Sequence, residues 1–239
     1  MIAWLNQDTP FPPLEFAMRE PNGLLAVGAD LSPERLLDAY RRAIFPWYSE
    51  GDPILWWSPD PRMVLAPDEL RVTRSLDKVL RNRVYDVRFD TAFDAVMAGC
   101  AEPRPGQAGT WISPDIRSAY NQLHALGYAH SFETWIDGEL VGGLYGVAIG
   151  HMFYGESMFS RVRDASKIAF VHAVRALQER GFELIDCQMH TEHLASMGAR
   201  EIAREQFLTQ LQRLINCPQL RQRWEFTHRN RPRPDDVET

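Results

Sequence analysis

Ser131-Phe-Glu-Thr-Trp-Ile136, Asp137-Gly138, Glu139-Leu-Val-Gly-Gly-Leu-Tyr-Gly-Val-Ala-Ile149 is the stretch on which the fold turns. Two runs rich in aromatic and β-branched residues flank Asp-Gly, which tolerates the positive φ angles of a two-residue hairpin turn. His151 to Tyr154 reads as a third strand. Ala165 to Arg180 carries Ile168, Val171, Val174 and Leu177 on one stripe and stops at Gly181, as a helix does. Phe182-Glu-Leu-Ile-Asp186-Cys-Gln188-Met189 is apolar on both faces and reads as a central strand. Upstream, a short helix around Ser75 to Leu80 leads to a strand over Val84 to Phe89. Asp90 is expected to cap a helix bearing Phe93, Val96 and Met97. Ser113-Pro114 opens another, with Ile116, Tyr120 and Leu123 inward and Gly127 as its stop. A helix near 191–197, a short strand and a helix near 204–215 close the pattern. The class is α+β with a mostly antiparallel sheet.

Residues 1–62 differ in composition. One helix is signalled, with Ser32 as N-cap, Pro33 at its first position and Leu36, Leu37, Tyr40 and Ile44 as its stripe. The following run to Arg62 is dense in Trp, Pro and Gly, which argues against a regular helix or an inner strand. The expected division is a small N-terminal domain (1–62), a second domain (63–232) and a disordered tail (233–239). The order of elements in the second domain is similar to that of the GNAT acyltransferases.

The chain has 239 residues, 45% of them hydrophobic and 11% aromatic, which excludes disorder throughout. Its most apolar stretch, Leu140 to Tyr154, holds His151 and four glycines and is too short to span a bilayer. The start lacks the basic and apolar regions of a secretory signal. Cys100, Cys187 and Cys217 are an odd, scattered set, so a reduced, cytoplasmic protein is expected. The net charge is −6, but residues 71–88 hold six cations against Asp77 and Asp86, and residues 219–234 hold five arginines against Glu225. Two basic patches on an acidic body suit a docked polyanion. A solvated helix face and a loose tail would look the same.

Several motifs carry chemistry. Asp186 and Gln188 lie two apart on a strand and so share a side, and a buried carboxylate needs a partner. They read either as a catalytic pair or as a structural Asp with Gln188 at a strand end. Gly155-Glu-Ser157 hints at a nucleophile elbow, but Phe159 stands where the pattern needs Gly. Arg161, Arg163 and Lys167 surround a helix start that would favour an anion. Cys187, His190 and His193 do not have zinc spacing, and no metal is expected. Gly142, Gly143 and Gly146 mark a bulge or a close backbone approach rather than a phosphate loop. Trp47, Trp56, Trp57 and Trp111 are candidate stacking platforms, of which Trp47 and Trp111 sit in Gly/Pro-rich loops.

Taken together, Pro21-Asn-Gly-Leu-Leu-Ala-Val-Gly-Ala-Asp-Leu-Ser32, Ile44-Phe-Pro-Trp47-Tyr-Ser, Ile54-Leu-Trp-Trp-Ser-Pro-Asp-Pro-Arg62, Gly109-Thr-Trp111-Ile, Gly155-Glu-Ser-Met-Phe-Ser-Arg161, Asp186-Cys-Gln188 and Gly198-Ala-Arg-Glu-Ile resemble the leucyl/phenylalanyl-tRNA–protein transferases. The motifs occur in order from about residue 20 to about residue 210. Ala29 departs from the Gly often found there, and the loop around Pro103 to Ala108 is long. The resemblance implies a GNAT-like catalytic domain. It also implies transfer of Leu, Phe or Met from aminoacyl-tRNA to proteins beginning with Arg or Lys, which creates a bacterial N-degron. No cofactor and no membrane association are expected, and the protein is expected to be a monomer. Asp186 and Gln188 would orient and help deprotonate the amine, and Glu156 would read the acceptor's positive charge. Leu144, Phe153 and Met158 would line the side-chain pocket, and Trp47 and Trp111 would stack around the terminal adenosine. Arg74, Lys78, Arg81 and Arg83 would meet acceptor-stem phosphates. Two rivals are an acetyl-CoA-dependent acetyltransferase, whose Gly-rich turn is absent before the long helix, and a non-catalytic RNA-binding adaptor.

Overall fold

The computed structural model describes residues 2–103, 110–218 and 222–231. From residue 104 on, the long loop expected at 103–108 lies outside them, as does the tail 233–239. The chain runs β1 (Ala3–Leu5), β2 (Leu24–Gly28), α1 (Pro33–Arg41), β3 (Phe45–Pro46), β4 (Leu55–Trp57), β5 (Arg62–Leu65), α2 (Arg74–Asn82), β6 (Tyr85–Phe89), α3 (Phe93–Ala101), α4 (Pro114–Ala125), β7 (Ala129–Ile136), β8 (Glu139–Ile149), β9 (Met152–Ser160), α5 (Ala165–Glu179), β10 (Leu184–Gln188), α6 (Glu192–Ser196), β11 (Arg200–Ile202), α7 (Arg204–Leu214) and β12 (Phe226–Asn230). A four-stranded sheet has the order β1-β2-β4-β3, and an eight-stranded sheet the order β11-β5-β10-β9-β8-β7-β6-β12. Among the described residues of the larger sheet, only β9 and β10 pair in parallel. The fold is the expected α+β class, and no helix among the described residues is long and apolar enough to cross a membrane.

Local signals explain most boundaries. The hydroxyls of Ser32, Thr73 and Ser113 each accept the backbone N–H three residues on, which starts α1, α2 and α4. Asp137 and Gly138 take φ of 51° and 82°, as a tight β7–β8 hairpin turn requires. Gly142 lies against α5: a Cβ there would sit 2.6 Å from the Ala165 methyl.

Four expectations fail. Asp90 does not cap α3. Its carboxylate is turned inward, 2.8 Å from His130 Nδ1, and accepts the N–H groups of Ser131 and Trp224. The first N–H groups near α3 are taken by Glu133 from the neighbouring strand, through Thr91 and Ala92. Leu55–Trp57 is an inner strand despite its surroundings, because three residues suffice there and the prolines fall outside them. β9 runs six residues past Tyr154, carried by pairing with β8. The edge strand β12, which had no alternating apolar pattern, forms beside β6.

The core divides across the larger sheet. One cluster joins α1, α3, α4 and the smaller sheet to the face bearing Tyr145 and Tyr154. The other packs α5 and α2 on the face bearing Leu144, Phe153 and Ile185.

Candidate active site

β9 and β10 pair only over Met152–Tyr154 and Leu184–Asp186. Beyond that they part, and a cavity of about 1070 Å³ opens between Gly155–Met158 on one side and Ile185–Gln188 on the other. Its inner end is apolar and buried, walled by Leu144, Phe153, Ile185 and, from α5, Phe170, Ala173 and Leu177. Burial pushes the Cys187 thiol well up, so it is a wall group and not a thiolate nucleophile. Toward solvent the cavity is lined by Trp47, Trp57 and Trp111. Trp47 is 39% exposed, and Trp57 supports it by donating its indole N–H to the Trp47 carbonyl at 2.6 Å.

Between the apolar end and the tryptophans lie the polar groups. Glu156 is half-buried and accepts from Tyr40 Oη at 2.8 Å, Tyr120 Oη at 3.0 Å and Gln188 Nε2 at 3.2 Å. The two tyrosine hydroxyls also contact each other. Burial outweighs these donors and holds the Glu156 carboxyl up at about 7. Tyr40 and Tyr120 are pushed well above their ordinary range, first by burial and then by the neighbouring Glu156, so both keep their protons and donate. Gln188 has φ of 59°, and the β10 register shifts between Asp186 and Gln188. Because the amide N–H is turned to Glu156, its carbonyl oxygen is left to accept. Such a site can receive an elongated apolar group, a flat aromatic system and an amine together.

The sequence matches the family model described as leucyl/phenylalanyl-tRNA protein transferase over residues 64–212, and the model of that family's N-terminal domain over residues 29–60. The chain belongs to this family. It is 63% identical to the leucyl/phenylalanyl-tRNA–protein transferase of Chromobacterium violaceum, over 96% of this chain and 99% of that one. It is 61% identical to that of Nitrosospira multiformis, over 95% and 98%. Among solved structures, a GCN5-related N-acetyltransferase from Kribbella flavida aligns with a TM-score of 0.38 and 13% identity, over 72% of this chain and 61% of that one.

Set against the motifs of the transferase family, Leu144, Phe153, Met158, Glu156, Gln188, Trp47 and Trp111 all come together in this one cavity. Asp186 does not line it. That side chain is fully buried behind Gln188 and paired with Arg62. Arg74, Lys78 and Arg81 lie exposed on α2, outside the cavity, with Arg81 paired to Asp77 at 2.9 Å. Arg83 follows that helix and donates to the Arg163 carbonyl at 2.8 Å. This places α2 beside the segment carrying Arg161, whose guanidinium pairs with Glu102 of the cavity wall. Tyr40, Tyr120 and Arg62 were not anticipated as site residues. The tyrosines read as apolar stripe positions of their helices. For Arg62 there was a signal: a buried Asp186 demands a cationic partner.

Proposed function

We propose that the chain transfers Leu, Phe or Met from aminoacyl-tRNA to the α-amine of proteins that begin with Arg or Lys. The observation that carries this reading is the single cavity in which an apolar dead end, a Glu156–Gln188 polar centre and an indole-lined mouth follow one another.

The ester of an aminoacyl-tRNA is already activated, so no protein nucleophile is required. The acceptor nitrogen attacks the ester carbonyl, the bond to the ribose oxygen breaks, the nitrogen loses a proton and the leaving oxygen gains one. An α-amine has a reference pKa of about 7.7–8.0, so part of it is neutral near pH 7. What the site adds is placement of amine and ester, an effect that can be large.

In this reading the Gln188 carbonyl oxygen accepts from the attacking amine. Asp186 acts through Gln188 and does not itself meet the amine. Glu156 faces the cationic acceptor, and Leu144, Phe153 and Met158 hold the donor side chain. An unbranched Cβ suits the passage between the strands, although one methyl is worth only about 1–3 kcal/mol of discrimination. Trp47 and Trp111 stack on the terminal adenosine, and the α2 cations meet the stem phosphates without reading bases.

The test is single-turnover transfer from Phe-tRNA to an Arg-starting peptide, beside the same peptide starting with Met. Transfer to the first alone is expected. Equal transfer to both overturns the acceptor assignment, and binding of the tRNA without transfer to either reduces the protein to an RNA-binding module.

A further inference from the structure

We propose that Arg62 is a positioning residue for the reaction, holding Gln188 in its working conformation through Asp186. The proposal rests on the reading of Gln188 given above.

Gln188 is in the left-handed backbone region, φ 59°, where a residue with a Cβ is uncommon and needs to be held. It follows an irregularity in β10: Asp186 is paired with Val64 of β5, but Gln188 is paired with Met63, so one residue is extra. Bulges of this kind bend a strand and re-aim a side chain. The backbone N–H of Gln188 is fixed by Asp186 Oδ1 at 2.8 Å. The same carboxylate receives Arg62 Nε on Oδ1 at 2.8 Å and a terminal nitrogen on Oδ2 at 2.6 Å. Both oxygens are therefore occupied by donors inside the protein, and neither faces the cavity.

Arg62 is itself immobilised. It is fully buried, its remaining terminal nitrogen donates to the Ala43 carbonyl at 3.1 Å, and its guanidinium lies 4.9 Å from the centre of the Phe45 ring and 4.8 Å from that of Phe207. The planar fork that grips both carboxylate oxygens is a geometry a lysine cannot reproduce. Rigid rings thus fix the guanidinium, the guanidinium fixes Asp186, and Asp186 fixes the bulge that aims Gln188 at Glu156. A salt bridge that served only the fold would not need to end on a strained residue that lines the cavity.

Arg62→Lys keeps the charge and loses the fork. It is expected to lower the single-turnover rate from Phe-tRNA to an Arg-starting peptide by roughly ten- to hundredfold, the scale of a small misplacement. Apparent affinities for both substrates and the pH dependence of the rate should hold, since no group that meets substrate changes. In a Gln188→Ala background the same substitution should cost almost nothing further in rate, because the residue it positions is gone. Its effect on melting temperature should be the same in both backgrounds. Asp186→Asn, which keeps an acceptor for the Gln188 N–H, should show a smaller loss with the same dependence on Gln188, and serves if Arg62→Lys does not fold. Full rate in folded Arg62→Lys, or equal losses with and without Gln188, overturns the proposal alone. Full rate in folded Gln188→Ala overturns the reading of Gln188 itself, and the proposal with it.

Discussion

Glu156 holds three donors and still faces an open cavity, so its proton is exchanged where the enzyme works. Its carboxyl is raised from 4.5 to about 7, chiefly by burial. A carboxyl whose folded value lies above its unfolded one binds its proton more tightly in the native state. The corresponding stability is complete below about pH 4.5 and is lost as pH rises through about 7. Glu156→Gln lacks this titration. Melting curves should therefore show wild type losing stability relative to the variant across that window and keeping a constant offset from it above; parallel curves throughout would contradict the burial argument. Activity should respond in the opposite sense. The anion grows in as pH rises through about 7, so apparent affinity for Arg- and Lys-starting acceptors should improve in wild type and stay flat in Glu156→Gln. Trp111→Ala tests the other end of the cavity. Loss of one stacked base is worth about 1–3 kcal/mol, seen as weaker use of a minimal aminoacyl-adenosine donor. An unaltered response to that donor would make Trp111 a packing residue.

At the scale of elements, the close packing of α5 on β8 is what gives the cavity a firm inner wall. Gly142 is the contact point, and a methyl there would press on the Ala165 side chain and backbone. Gly142→Ala should lower stability by about 1–3 kcal/mol in chemical denaturation, the usual cost of overpacking. A variant as stable as wild type would mean that α5 can shift. Elements of this kind were legible where the signal is local. Ser32, Ser113 and Asp137-Gly138 act on residues two or three away, and each did what its chemistry dictates. Where the partner is distant the sequence was silent. Asp90 looks like a cap until His130 and Trp224 are beside it, and nothing in the Phe226–Asn230 run marks it as a strand before β6 offers its edge. The candidate site divides the same way. Gln188, Glu156 and the indoles were found through motifs, whereas Tyr40 and Tyr120 lie in none and take their meaning from touching Glu156; Arg62 closes the Ile54–Arg62 motif, but nothing in that motif names Asp186 as its partner.

Over the whole molecule, charge is unevenly placed. The chain is acidic, yet Arg74, Lys78 and Arg81 stand exposed together on α2, and Arg83 leads from that helix to the segment next to the cavity wall. Phosphates would be drawn to this face and repelled elsewhere. Reversing Arg74, Lys78 and Arg81 to Glu should weaken tRNA binding and flatten its dependence on salt concentration, each lost phosphate contact removing about 0.7–0.9 from the log–log slope. Transfer from a minimal aminoacyl-adenosine donor should be untouched. A slope equal to that of wild type would show that α2 is merely solvated.

The hydrogen bonds that shape the polar centre span the chain: Arg62 and Asp186 are 124 residues apart, Tyr40 and Glu156 are 116 apart, and the ring of Phe207 from α7 closes over the Arg62 guanidinium. Contacts of such separation form late, because distant segments must meet before they gain anything. During synthesis the N-terminal helix that supplies Tyr40 leaves the ribosome long before the segment that supplies Phe207. A growing chain can therefore fold its hairpins and helices while lacking any arranged reaction centre. The catalyst comes into being only after α7 has been made, so a copy that stops short of that helix has no means of tagging its neighbours.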